Sequence, residues 1–287
     1  MNLTNYAENK IADFMRGQGL TLPADWYFAL GSVADDGTFT EVAGASYGRV
    51  AVTRNLTNFS GTQGPLTTAA SNGTSHETRN NNAITWPTAG SGGWSPASYV
   101  GVFDNTSGGN CWFYGEMGTP VTVSAGSAYP LAISAAVFQL GLTGGMSDYL
   151  ANVMIDLLFR GQAYTWPATT YVRLVTTTPS NGSGGVEVIG GGYARQPIAS
   201  TLAAWSGTQA AGSTSASSGT SGRISNNGVI TFPAVTANWG TITHQERMDA
   251  LSGGNRLFWG SLASPKTISS GALPPRFDAN TLGITAA

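Results

Sequence analysis

Three pairs of carboxylates recur at matching places in the two halves of the chain, and they are the first residues to test for chemistry: Asp13 and Asp156, Glu41 and Glu187, Asp104 and Asp249. Glycan hydrolysis needs two carboxylates at a set separation around the scissile bond. An acid repeated in both copies could serve twice. The positions favour scaffolding, because Asp13 falls within a helical pattern and Asp104 opens a turn-rich loop. His76 and His244 are not counterparts, and neither has a repeated nucleophile beside it, so a Ser–His–Asp triad lacks positional support. The single cysteine, Cys111, allows no disulfide framework within the chain and leaves a Cys/His zinc site short of ligands. Gly190-Gly191-Gly192 runs into the strand-like Tyr193-Ala194-Arg195, not into the helix a phosphate-binding loop requires. No catalytic residue, metal or cofactor is expected.

Binding chemistry has better candidates. Glu41, Tyr47 and Arg49 recur as Glu187, Tyr193 and Arg195. Tyr and Arg are enriched at interface hot spots, so these residues could anchor a partner. Alternatively each set is an internal Glu–Arg pair with the arginine stacked on an aromatic ring, bracing a loop. Repetition favours the brace. Trp86, Trp94, Trp112, Trp205, Trp239 and Trp259 could form a sugar-stacking platform, but the equivalence of Trp94 with Trp239 and of Trp86 with Phe232 favours core positions.

The elements that must position these residues follow from composition and repetition. Of 287 residues only 10% are charged, against about 25% in an ordinary soluble domain, while 41% are hydrophobic and 39 are glycine. A net charge of −2 with two lysines, Lys10 and Lys266, removes the electrostatic footprint of a nucleic-acid binder. The longest apolar run, Leu131 to Leu142, is too short to span a bilayer. Glu8, Lys10 and Asp13 interrupt the N-terminal apolar pattern, so no signal peptide is expected there.

The chain repeats itself along its whole length. Tyr6, Asn9, Asp13, Arg16-Gly17-Gln18 match Tyr149, Asn152, Asp156, Arg160-Gly161-Gln162. Ser60-Gly61-Thr62-Gln63 matches Ser206-Gly207-Thr208-Gln209, and Ser107 to Asn110 matches Ser252 to Asn255. The organisation is a tandem duplication, 1–142 and 146–287. Each half opens with one amphipathic helix ended by Gly17 or Gly161. Asn5 and Glu8 have capping-box spacing in the first, and Ser147 or Asp148 can cap the second. Everything after the helix reads as short strands between turns, which predicts a mainly β fold: two tandem β-sandwich or jelly-roll-like domains, each opened by an N-terminal helix.

Two stretches, 54–82 and 200–228, are long low-complexity arms, and 210–222 contains only Ala, Gly, Ser and Thr. Their equal length predicts arms that lie across something and order on a partner. Phe59 and Trp205 immediately precede the repeated Ser-Gly-Thr-Gln. The candidate partner-binding set on the arms is therefore Phe59, Thr62, Gln63, Trp205, Thr208 and Gln209, joined by Tyr47, Arg49, Tyr193 and Arg195 from the constellation above.

The run from Ser147 to Gly161, then Gly190 to Gln196, Ile230 to Ala234, Trp239 to Ile242 and Ser252 to Asn255 resembles a family of small tailed-phage virion proteins, tail-fibre-like or capsid-decorating. The first half is a looser copy. Where the family pattern has an aliphatic-aromatic stretch, kept as Tyr99 to Phe103, the second half has Thr243-His-Gln-Glu-Arg-Met248, expected to form a polar strand at an interface edge. The resemblance implies a non-enzymatic virion structural protein on the particle exterior, made in the host cytoplasm. Low charge, compact β units and arms favour capsid decoration, with the major capsid protein as first partner. The alternatives are a fibre or adaptor that contacts tail or fibre proteins and a host surface, where it could bind glycans, and a glycan hydrolase. Self-association is expected; nucleic acid and membrane insertion are not.

Overall fold

A computed structural model describes residues 1–34, 38–140 and 145–285. The junction expected between 142 and 146 falls largely outside them. Helix α1 spans Asn5–Met15 and helix α2 spans Asp148–Phe159. The first cap lies one residue before the expected capping box: Thr4 Oγ1 accepts from Ala7 N, as Ser147 Oγ accepts from Leu150 N in the second helix. A hydroxyl at this position satisfies one of the free N–H groups of the first turn. Both helices end in the same reversal. Gly17 and Gly161 take positive φ, and the N–H of Gln18 and of Gln162 returns to the carbonyl of Asp13 and of Asp156. A second constraint also demands glycine. A Cβ on Gly17 would sit 2.1 Å from Ser200 O, and one on Gly161 would sit 2.6 Å from Arg54 O, each in the opposite half of the chain.

The fold is mainly β, as expected, with one antiparallel main sheet in each half. The first runs Asn2–Leu3, Cys111–Val121, Ala97–Phe103, Asp25–Val33, Phe39–Glu41, with Val50–Thr53 also paired to Asp25–Val33. The second runs Gln196–Ala199, Thr169–Val175, Gly240–Met248, Arg256–Ile268. Neither sheet closes on itself. The registers correspond: Phe28 faces Val102 across the first ladder, and Val172 faces Arg247 across the second. Aromatic and β-branched residues fill these strands because they pack well on a pleated surface. Short ribbons supply the facing layer. Glu77–Arg79 pairs with Val137–Gln139, Arg223–Ser225 pairs with Gly283–Thr285, and Phe138 meets Phe28 of the main sheet with ring centroids 6.3 Å apart.

The polar strand of the second half is not an interface edge. Gly240–Met248 lies between two hydrogen-bonded neighbours, and its charged residues Glu246 and Arg247 are buried. The edge expectation took polarity as exposure, whereas here the charges are paired or stacked inside.

One continuous apolar core runs through both halves. Phe159, at the end of α2, sits among Phe59, Phe113 and Phe138 of the first half, with centroid distances of 5.6, 4.9 and 4.3 Å. Trp26 Nε1 donates to Leu158 O at 2.9 Å. In the other direction, Phe14 of α1 meets Trp166 of the second half at 5.8 Å. Each helix starts against its own sheet and drives its C-terminal end into the other half.

Candidate interaction site

The arms lie across the helix of the opposite half. Along α2 the polar stripe Asn152, Asp156, Arg160 faces the first arm. The Thr62 hydroxyl donates to Asn152 Oδ1, Ser71 N and Ser71 Oγ donate to Asp156 at 2.9 and 2.6 Å, and Arg160 donates to Phe59 O at 3.0 Å and Ala69 O at 2.5 Å. Along α1 the stripe Asn9, Asp13, Arg16 does the same for the second arm. The Thr208 hydroxyl donates to Asn9 Oδ1, Ser217 N donates to Asp13 at 3.0 Å, and Arg16 donates to Trp205 O at 3.0 Å and Ser215 O at 2.9 Å. Each arginine also pairs with the carboxylate one turn earlier, at 2.7 Å in α1 and 2.6 Å in α2. Both guanidinium groups are fully buried, so their bonds to carbonyls act where water cannot compete. A chain of small hydroxyl residues suits this task because its backbone must come within bonding distance of a helix.

This placement fixes what the arm residues can do. Phe59 and Trp205 are fully buried, so neither ring is presented to an external partner. Thr62 and Thr208 are buried against the helices, while Gln63 and Gln209 are exposed and hydrogen-bond within their own arms, to Ala70 O and to Ser215 Oγ among others. The sequence shows the helix stripes as repeated residues but not their role. The available signal was a polar triplet preserved on both helices beside arms built largely of small hydroxyl residues.

The Glu–Tyr–Arg constellations act as braces. Arg49 bonds Glu41 at 2.6 Å, stacks 3.6 Å over the Phe103 ring, and donates to Asn105 O and Gly108 O at 2.5 and 2.7 Å. Arg195 bonds Glu187 at 2.7 Å and donates to Ala250 O and Gly253 O, both at 2.8 Å. Tyr47 and Tyr193 accept from Leu30 N and Leu174 N, and burial pushes both phenols well above their ordinary range. Burial alone would raise the Glu187 carboxyl, but hydrogen bonds and charge from Arg195 and then Arg173 outweigh it and hold the group below its usual range. The braced segments are the hairpin tips 104–110 and 249–255. Asp104 and Asp249 close these tips by accepting from Asn110 N at 2.7 Å and Asn255 N at 2.6 Å. Residues 105–110 and 251–255 are exposed, so each half presents a loop that is outward-facing and internally fixed.

All six repeated carboxylates therefore engage structural partners. His76, in the first arm, is buried with Nε2 2.6 Å from Asp148 Oδ1 at the start of α2, and His244 lies beside Thr243. Among the described residues no group of His, Cys, Asp and Glu could hold a metal ion, and no helix is long and apolar enough to cross a membrane. Next to the second tip is a cavity of about 370 Å³ lined by Asp148, Arg173, Arg195, Asn255 and Arg256. Sequence reasoning missed the buried group behind it, in which Glu246 takes Arg173 and Arg256 as partners.

Compared with known families, the chain matches the model described as podophage GP4 fiber I protein gp80 twice, over residues 2–139 and again over 145–285. No curated protein matches it.

Proposed function

Because the chain belongs to the podophage GP4 fiber I family over both of its halves, we propose that it is a fibre-type component of the particle exterior that works by binding and without catalysis. Membership makes it a phage virion structural protein; the double family match is the observation that carries the fibre assignment. Capsid decoration, which low charge, compact β units and the arms favour in the sequence, took part of its support from arms free to spread over a lattice. In the fold those arms are spent on the helices of the same chain. The pair of braced hairpin tips, with the polar cavity beside the second, is the surface we assign to a host or neighbour. Fixed loops lose little entropy on contact, which favours recognition by a rigid exterior module. Its neighbours are then tail or fibre proteins, and it self-associates as fibre subunits do.

Quantitative stoichiometry of purified particles tests this reading. A fibre at one or a few symmetric positions gives roughly a few to a few dozen copies per particle. Hundreds of copies would overturn it in favour of decoration. Release of reducing ends from host polysaccharide by the pure protein would overturn the non-catalytic part.

A further inference from the structure

The cavity of about 370 Å³ beside the second hairpin tip is lined by side chains with hydrogen-bonding capacity left over. Arg173 donates through Nε to Glu246 and through Nη1 to Glu187, and its Nη2 has no partner among the described residues. Asp148 meets His76 Nε2 through Oδ1 at 2.6 Å, and its Oδ2 is likewise without a partner there. Asn181 Oδ1 accepts from Trp259 Nε1, which leaves the Asn181 amide N–H groups; Asn255 Nδ2 donates to Asp249, which leaves Asn255 Oδ1. The set therefore holds spare donors on Arg173 and Asn181 and spare acceptors on Asp148 and Asn255. It is reachable from solvent. The Arg173 and Asp148 side chains keep 13% and 16% of their surface open, Asn181 is half-buried and Asn255 is exposed.

The loop along one wall carries no side chain beside these atoms. A Cβ on Gly184 would stand 2.4 Å from Arg173 Nη2, and one on Gly182 would stand 3.0 Å from Asp148 Oδ2. The first half is an internal control. At the positions matching Asp148, Arg173 and Arg256 it has Asn5, Ala29 and Cys111, although it keeps the tip asparagine as Asn110. The shared frame therefore does not need this acid or these arginines, and the second half carries them where its sister is small or neutral.

We infer that this cavity binds an uncharged, hydroxyl-bearing ring, the chemistry of a neutral monosaccharide residue. A hydroxyl both donates and accepts, so a polyhydroxylated ligand can use the whole mixed set. A carboxylate or phosphate accepts only and would leave Asp148 and Asn255 opposed to it; an ammonium donates only and would face the arginines. The charges agree. Arg173, Arg195 and Arg256 on the walls are matched by Glu187 and Glu246 behind them and by Asp148, so no net charge calls for an ion. Tyr149 on the same wall offers apolar surface to the carbons of the ring. The volume lies at the small end of the ~300–1,000 Å³ of ordinary ligand sites, which suits a ring-sized group. The inference rests on the proposed exterior binding role only for the source of the ligand, a host surface glycan. Free sugars read the cavity and copy number reads the placement, so the two fail separately.

The test titrates the intact, isotope-labelled chain with glucose, galactose, mannose and rhamnose, and separately with sodium glucuronate, inorganic phosphate and triglycine amide. At least one neutral sugar is expected to shift the side-chain amide resonances of Asn181 and Asn255 and the backbone resonances of Gly182 and Gly184. The shifts should saturate with a dissociation constant of about 1 mM. Gly182→Val fills the space beside Asp148 Oδ2 and leaves the pairs of Glu187 and Glu246 untouched. It should melt with the parent and bind about tenfold more weakly or worse. Should that variant not fold, Asp148→Asn keeps the shape, removes the carboxylate acceptor and should weaken binding by about the same factor. Saturation by none of the neutral sugars, or undiminished sugar binding in the variant, would remove the site. Saturation by glucuronate or phosphate without any neutral sugar would make it an anion site, and by triglycine amide alone a peptide site; either result overturns the inference.

Discussion

In the first half, the strand Ala97–Phe103 carries Gly101 and Val102; in the second, the matching strand Gly240–Met248 carries Glu246 and Arg247 in the same register. The exchanges are compensated across the sheet. Trp26, two residues from Phe28, which faces Val102, becomes Thr170, which bonds Arg247. Phe39, whose ring lies 2.8 Å from where a Cβ on Gly101 would stand, becomes Gly185, whose N–H donates to Glu246 Oε1 at 3.0 Å. Ala29 and Cys111 become Arg173 and Arg256, the partners of Glu246. Volume moved from one strand to its neighbour while the backbone stayed. The comparison teaches that the duplicated frame is held by what the halves share, the caps, clamps and braces, so that one sheet was free to take up charge. Selection for stability alone gives no reason to bury Arg247, which has no counter-ion among the described residues, since apolar residues of similar volume often serve as well.

The largest expected effect concerns the shared frame. Because each helix ends inside the other half, residues 1–142 expressed alone should show no cooperative monomeric unfolding, and co-expression with 146–287 should restore it. Calorimetry on the separate and joined halves decides this. Two independent transitions would show that the exchange is dispensable.

Next are the clamps. Arg160→Ala strands Phe59 O, Ala69 O and Asp156, and Arg16→Ala strands Trp205 O, Ser215 O and Asp13. Removing one partner of a buried ion pair costs about 3–5 kcal/mol. Both variants should fall in that range by denaturant titration and match each other closely. A large inequality would mean that the pseudo-symmetry is one of geometry and not of energy.

How much of this was legible follows from what a repeat can show. Helix ends at Gly17 and Gly161, the strand-rich remainder and the Glu–Tyr–Arg braces could be read, because capping and bracing are local and leave the same residues in both copies. The helix exchange could not. Asn152, Asp156 and Arg160 look alike whether they face their own arm or the other, and a duplicated sequence does not say which copy contacts which. Phe59 and Trp205 were misread for a related reason. A large ring in a Gly/Ser-rich stretch has no periodic pattern to mark it as core, and only the facing helix, with Phe159 on one side and Arg16 on the other, makes it so. Polarity on Thr243 to Met248 suggested exposure because the paired residues Arg173 and Arg256 lie on other strands.

Among the residues that differ between halves, Glu246 should matter most. It is fully buried between two arginines and the loop that Arg256 holds through Asn181 O at 2.7 Å. Glu246→Gln keeps the shape but leaves Arg256 without its anion and Arg173 with Glu187 alone, at an expected loss of about 2–3 kcal/mol in denaturant titration. A change within experimental error would make the charge cluster ornamental. Arg247→Met should act in the opposite direction. It replaces an unpaired buried cation with an apolar chain of similar length, so stability should hold or rise by about 1 kcal/mol. A loss of more than that would mean that Arg247 is a structural member of the core.

The smallest effect distinguishes the two braces. Glu41 bonds only one arginine, Arg49, whereas Glu187 bonds both Arg195 and Arg173. The Glu187 carboxyl lies below its ordinary value of 4.5, after hydrogen bonds and charge overcome the effect of burial. For a carboxylate with a depressed folded pKa, the unfolded chain takes up its proton first as the solution is acidified. The unfolded state then binds more protons, so stability increases with pH across that window. The contribution is complete above about pH 4.5 and is lost as pH falls through the folded value. Because the side chain is partly exposed, screening limits the effect to under about 1 kcal/mol. Glu187→Gln should therefore be slightly less stable than the parent at pH 7, and the difference should shrink as the pH approaches 3. Thermal unfolding across that range measures it. A difference that stays constant with pH would assign the contribution of Glu187 to its hydrogen bonds in either protonation state, and the second arginine would then add no charge-dependent support that the first half lacks.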